Sequence, residues 1–140
     1  SKRSGYNSLM SKKQVMTKKK VAQEFLALTE KGEVKKAFDT YVADDFKHHN
    51  PRFKGDRETI IAVLQKTAKE FPEVVSKRIH TLEDGDLVTV YSHIKPRPND
   101  KKDGGLAYIH IFRFDKDKIA EQWDFGTPVP ANPVNENGMF

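Results

Sequence analysis

Two hydrophobic periods divide this chain. From Thr17 the apolar residues recur at helical spacing, with Val21, Phe25 and Leu28 at i, i+4 and i+7 and with Ala22 and Leu26 beside them. The spacing predicts a helix that stops at Lys31-Gly32, since glycine readily adopts the conformation that ends helices. A second short helix is predicted from about Glu33 to Val42. Val34, Ala37, Phe38 and Tyr41 share one face of it, and Asp44-Asp45 breaks it. Phe46 to Asn50 reads as a short extended stretch closed by an Asn50-Pro51 turn. Asp56 is a suitable N-cap for a third helix. Ile60, Ile61, Val63, Leu64 and Phe71 give that helix an apolar face, and Phe71-Pro72 ends it.

After Pro72 the period changes to two. Val74 to Leu82 alternates, Glu83-Asp84-Gly85-Asp86 makes a hairpin turn, and Leu87 to Ile94 forms the next strand. A polar loop over 96–105 leads to a strand from Leu106 to Phe114. A tight Asp115-Lys116-Asp117 turn then leads to the last strand, Lys118 to Phe125. Helices followed by a meander imply an α+β fold with an antiparallel sheet. The expected organisation is a flexible basic leader over 1–15 and one domain over 16–140, with 130–140 a Pro- and Asn-rich tail. Both sheet faces carry residues suited to burial, among them Ile79, Val90, Ile111 and Trp123. The helices can cover one face; a homodimer through the sheet is the expected cover for the other.

Composition narrows the function classes. Hydrophobic residues make up 36% and charged residues 32%, and the apolar ones fall in periodic runs, which argues a folded chain. There is no cysteine, which excludes disulfides, thiol catalysis and thiolate metal sites. The net charge of +5 is uneven: residues 1–20 carry +7 and no acid, so the rest sums to about −2. Nucleic-acid binding would want cations interleaved with stacking aromatics on a folded face, and the basic stretch holds only Tyr6, so no nucleic-acid partner is expected. No run approaches the roughly 18–20 apolar residues of a membrane span, and no apolar segment follows the N-terminal charges. The expected address is cytoplasmic, without a membrane partner. Five histidines are present, but no pair has the helical i, i+4 spacing of a zinc site, and no phosphate loop or nucleophile elbow occurs. Neither a metal nor a cofactor is expected.

Several segments together resemble the SnoaL-like polyketide cyclases of the nuclear transport factor 2-like superfamily, most closely a subgroup labelled SnoaL-like aldol-condensation enzymes. They are His49-Asn50-Pro51, Gly85-Asp86-Leu87-Val88, Ile111-Phe112-Arg113, the run Lys118 to Asp124, and Asn137-Gly138-Met139-Phe140. The resemblance spans about residues 17–140. It implies a cone-shaped fold in which three N-terminal helices pack on a curved antiparallel sheet and enclose a pocket. It also implies an aspartate on the final strand acting as acid/base, matched by Asp124, and a histidine on the adjacent strand, matched by His110. The aldol-labelled subgroup usually has aspartate at position 110 and histidine at position 122; here they are His110 and Gln122. That rearrangement leaves a changed substrate, or loss of activity, open.

Strand geometry supports the same constellation. Gln122 and Asp124 share one face of their strand, and Tyr108, His110 and Phe112 share one face of its neighbour. The tight turn between the strands makes them adjacent, so His110 can lie near Asp124 or Gln122. A carboxyl on an apolar concave face is expected to have a raised pKa and could exchange a proton with the carbon next to a carbonyl. His110, or His49 with Asn50, could donate to the alkoxide formed. His48 and His49 must face opposite ways, and His49 is preferred for the pocket because it belongs to the family's His-Asn-Pro. His93, Tyr108, Gln122 and Phe112 complete the expected substrate-binding set. Each assignment has a plainer alternative: Asp124 an exposed strand-end carboxylate, His110 a satisfied half-buried ring, Asn50 a turn cap, His93 a packing group. Trp123 faces away from Asp124 and reads as sheet packing at a dimer interface. The leading expectation is a cofactor-independent cyclase, isomerase or lyase acting on a small, mostly apolar carbonyl compound. The alternative is a non-catalytic ligand-binding or dimerisation module. A ketosteroid-isomerase-like reading needs a pocket tyrosine on the first helix, which has none.

Overall fold

The structure, a computed structural model, describes residues 16–140. The leader expected over 1–15 lies outside the described residues. Three helices and five strands follow in the order α1 (Lys18–Glu30), α2 (Val34–Tyr41), β1 (Val42–His48), α3 (Arg57–Glu70), β2 (Val75–Asp84), β3 (Leu87–Lys95), β4 (Leu106–Asp115) and β5 (Lys118–Pro128). Helix α1 begins on Thr17, whose hydroxyl accepts from the Lys20 N–H at 3.1 Å. This cap offsets three lysines in the first turn, where positive charge opposes the helix dipole. Gly32 follows α1 in the left-handed region (φ 86°). Helix α3 is capped by Asp56, which accepts from the Thr59 N–H at 3.3 Å.

The sheet order is β1-β5-β4-β3-β2. The meander β2 to β5 is antiparallel throughout, as the tight turns require, whereas β1 pairs with β5 in parallel. The antiparallel sheet expected from the meander is present, and β1 adds one parallel pair at its edge. The strand also starts earlier than expected, at Val42, because Asp44 and Asp45 bulge outward to solvent between the Val42 and Lys47 pairings instead of ending the structure there. Further irregularities at Arg78/His80 and Arg113/Phe114 add local twist and bend the sheet around the helices.

The core lies between the helices and the concave sheet face. Phe25, Phe38, Phe46 and Phe112 join α1, α2, β1 and β4 through edge-to-face ring pairs 5.3–5.7 Å apart. All four are at most 3% exposed. Such pairs contribute about 1 kcal/mol each beyond area burial. Val88, Val90 and Ser92 of β3 point into the same layer, so Tyr91 and His93 point out of it. The chain's end docks on that outer side: the Tyr91 hydroxyl donates to the Met139 carbonyl, and Phe140 stacks on His93 with centroids 4.2 Å apart. No helix among the described residues is long and apolar enough to cross a membrane.

Candidate functional site

At one end of the core the packing opens into a cavity of about 320 Å³, within the size range of small-molecule sites. Its apolar walls come from α1 (Phe25, Leu26), from the inner face of α3 (Ile60, Val63, Leu64) and from Phe71, which follows it. The opposite wall is polar. Tyr108 and His110 of β4, Gln122 and Asp124 of β5, and His48 and Asn50 at the end of β1 meet there. Register explains the meeting: His110 pairs with Asp124 across β4–β5, and His48 pairs with Gln122 across β1–β5.

Asp124 is the hub, with its side chain only 8% exposed. Its Oδ2 accepts from His48 Nε2 at 2.9 Å and from Gln122 Nε2 at 3.0 Å; its Oδ1 accepts from Asn50 Nδ2 at 3.0 Å and from the Tyr108 hydroxyl at 3.1 Å. The Asn50 backbone N–H donates to His48 Nδ1 at 3.1 Å. That bond needs a bare Nδ1, so the ring proton sits on Nε2 and is given to Asp124. Burial alone would raise the Asp124 pKa, but the hydrogen bonds it accepts, that from His48 first and that from Asn50 after it, bring it down to about 2. The expectation of a raised carboxyl is therefore corrected: the group is a held carboxylate. Tyr108, desolvated and next to that negative charge, has its hydroxyl pKa raised well above the ordinary value.

His110 is held differently from the donors around Asp124. It is 8% exposed, and its Nδ1 has no hydrogen-bond partner among the described residues. Its ring lies parallel to Phe112 with centroids 6.0 Å apart and tilted against Tyr108 at 4.8 Å. Burial pushes its pKa down to about 4, outweighing the pull of Asp124 in the other direction, so the ring is neutral near neutral pH. Gln122 Oε1 is a second buried polar atom without a partner, because the amide must turn its NH2 toward the carboxylate.

The remaining expected site residues fall elsewhere. His49 points to the outer face, where its Nε2 lies 2.6 Å from Glu121 and its ring stacks on Trp123 at 4.7 Å. Glu121 is also bound by Arg113 at 2.7 Å, and Arg113 and His49 together lower its pKa. His49 is thus corrected from pocket group to outer-face group, and His48 takes the place assigned to it. His93 is likewise corrected: strand alternation turns it outward, onto the Gly104 carbonyl oxygen at 2.7 Å and Phe140. Phe112 is fully buried against Phe25 and does not line the cavity, because it lies deeper along β4, under α1. His48 was detectable from its neighbour: Phe46 is a core residue, and i+2 on a strand shares its face. Arg52, which also lines the cavity, had no comparable signal. Tyr108 reaches over β5 because Gly126 lies opposite it; a Cβ there would overlap the Tyr108 ring and the Ala107 carbonyl. Among the described residues no group of three or more His, Asp or Glu side chains could hold a metal ion.

Comparison with known proteins places this architecture. A candidate polyketide cyclase from Bacillus cereus superposes with a TM-score of 0.67 at 25% identity, covering 79% of this chain and 74% of that one. A nuclear transport factor 2-like protein of unknown function from Cytophaga hutchinsonii matches with a TM-score of 0.64 at 16% identity, covering 81% and 93%. AclR, a candidate hydroxylase from Streptomyces galilaeus, matches with a TM-score of 0.64 at 14% identity, covering 79% and 88%. Among curated proteins none matches. The SnoaL-like domain model matches residues 22–122, from the first helix to Gln122 in the polar wall, and this chain belongs to the SnoaL-like domain family.

Proposed function

We propose that the chain binds a small, mostly apolar carbonyl compound in its cavity and carries out proton-transfer chemistry on it, of cyclase, isomerase or lyase type. The observation that carries this reading is a buried carboxylate opposite an unpartnered, neutral imidazole in the wall of an otherwise apolar cavity. In this assignment Asp124 is not itself the base. A carboxylate with four donors and a pKa near 2 is a weak proton acceptor. A ring nitrogen of His110 instead takes the proton from the carbon next to the carbonyl, and the C–H electron pair moves onto the carbonyl oxygen. The imidazolium formed is stabilised by the Asp124 charge, which already raises the basicity of His110 against its burial. Asn50 and Gln122 each have a second amide N–H beyond the one given to Asp124, and these can donate to the developing oxyanion. Return of the proton to carbon or oxygen completes the cycle.

A second reading is favoured by one specific observation. All four hydrogen bonds to Asp124 are already made within the protein, a finished arrangement suited to binding without turnover. Both readings require occupancy of the same cavity, and an apolar ketone such as benzylacetone tests that. Titration followed by NMR should shift the backbone amides of Tyr108, His110 and Gln122 and leave those of Tyr91 and Ile109 in place. Shifts confined to the outer face would reject both. The outer face itself, with Phe125 at 59% exposed next to Trp123 and Ile111, is the surface on which a second copy of the chain would pack to form a homodimer.

A further inference from the structure

One charged group at the site has no part in the chemistry above. Arg52 leaves the end of β1 two residues after Asn50 and lines both the inner cavity and an adjoining outer hollow of about 440 Å³. Among the described residues no other lysine or arginine lines either space, and Arg52 makes no ion pair. Its position is tied to the polar cluster: its backbone N–H donates to Asn50 Oδ1 at 3.1 Å, and the Asn50 amide donates to Asp124. Its charge is felt at Tyr108, where it pulls against the rise that burial and Asp124 cause.

The interior has the opposite sign. Asp124 is a carboxylate, and the other acid in the lining, Glu30, is already satisfied by Arg78 at 2.7 Å. An anionic ligand group pushed inward would meet the charge of Asp124. The same group left at the mouth would meet an unpaired guanidinium, whose planar fork fits a carboxylate with two parallel hydrogen bonds. The nearness of Asp124 favours a monoanion there over a doubly charged group.

We infer that the ligand is an amphipathic carbonyl compound carrying a carboxylate, with its apolar body against α3 and its carboxylate at the mouth on Arg52. The inference rests on the cavity reading given above and adds the charge and direction of the ligand. Arg52 is then the residue that selects acid over ester, and it takes no part in proton transfer.

Calorimetric titration with phenylpyruvate and with its methyl ester, which differ in that charge, tests this on the whole chain. The unmodified protein should bind the acid about tenfold more tightly than the ester, the size expected for a partly exposed charge-assisted pair. Arg52→Gln should abolish the difference, and Arg52→Lys should retain part of it. Added salt should weaken the acid alone. Equal affinity for acid and ester in the unmodified protein, or an acid preference that survives Arg52→Gln, overturns the inference and leaves the cavity reading standing. Binding of neither compound overturns both.

Discussion

His48 donates to Asp124: its Nε2 lies 2.9 Å from Oδ2, while the adjacent His49 reaches Glu121 on the other side of the sheet. One residue of register decides which imidazole serves the cavity, because side chains alternate along a strand. The two positions therefore have different energetic consequences. His48→Ala removes a donor from a buried carboxylate and should cost about 3 kcal/mol in denaturant unfolding. His49→Ala breaks a half-exposed contact and should cost under about 1 kcal/mol. Equal losses at the two positions would contradict the assignment.

His110 and Asp124 titrate in separate windows. His110 has a folded pKa of about 4 against an ordinary 6.5, so below pH 6.5 the unfolded chain takes up a proton that the folded one refuses. Stability should fall as the pH drops from 6.5 toward 4, by about 3 kcal/mol in all. Asp124 is lowered from 3.8 to about 2, so its contribution is intact above pH 3.8 and is lost as the pH falls through 2. Denaturant unfolding of the unmodified protein and His110→Asn at several pH values separates the two. The variant should lose the upper limb of the decline and keep the lower one.

Gly126 is a position where size alone should matter. A methyl group there meets the Tyr108 ring and the Ala107 carbonyl, and strand backbone cannot move far within a paired sheet. Gly126→Ala should cost about 2 kcal/mol and pull the Tyr108 hydroxyl off Asp124. Tyr108→Phe, which removes that hydrogen bond without any overlap, should cost about 1 kcal/mol. Comparing their unfolding midpoints distinguishes overlap from the lost bond.

Association through the outer face can be read from sedimentation. Phe125→Arg, on an exposed strand end, should shift a homodimer to monomer without changing secondary structure. A monomer in the unmodified protein at micromolar concentration would reject the proposed interface.

Much of this fold was legible because its two halves have different hydrophobic periods. The Val21–Phe25–Leu28 stripe and the Asp56 cap mark helices, and the Asp115–Asp117 turn forces β4 and β5 together, so Asp124 and His110 follow as opposite neighbours. The sense of β1 was not legible, since Val42–His48 is short and its pairing with β5 spans most of the chain. His93 was ambiguous because β3 carries apolar or aromatic residues on both faces: Val88 and Val90 inward, Leu87 and Tyr91 outward. Alternation from the core residue Phe46 points to His48, whereas the His-Asn-Pro match points to His49. The sign of the Asp124 shift was illegible for another reason. Burial raises a carboxyl and donors lower it, and the number of donors depends on three strands converging, which no local pattern encodes.

The most direct test of the proposed chemistry is hydrogen–deuterium exchange at the carbon next to the carbonyl of benzylacetone in D2O, followed by proton NMR. The unmodified protein should accelerate exchange above the buffer rate, and both His110→Asn and Asp124→Asn should reduce the acceleration by about a hundredfold while the ketone still binds. A ketone that binds in the cavity and exchanges at the buffer rate, or at the same accelerated rate in both variants, would contradict the account.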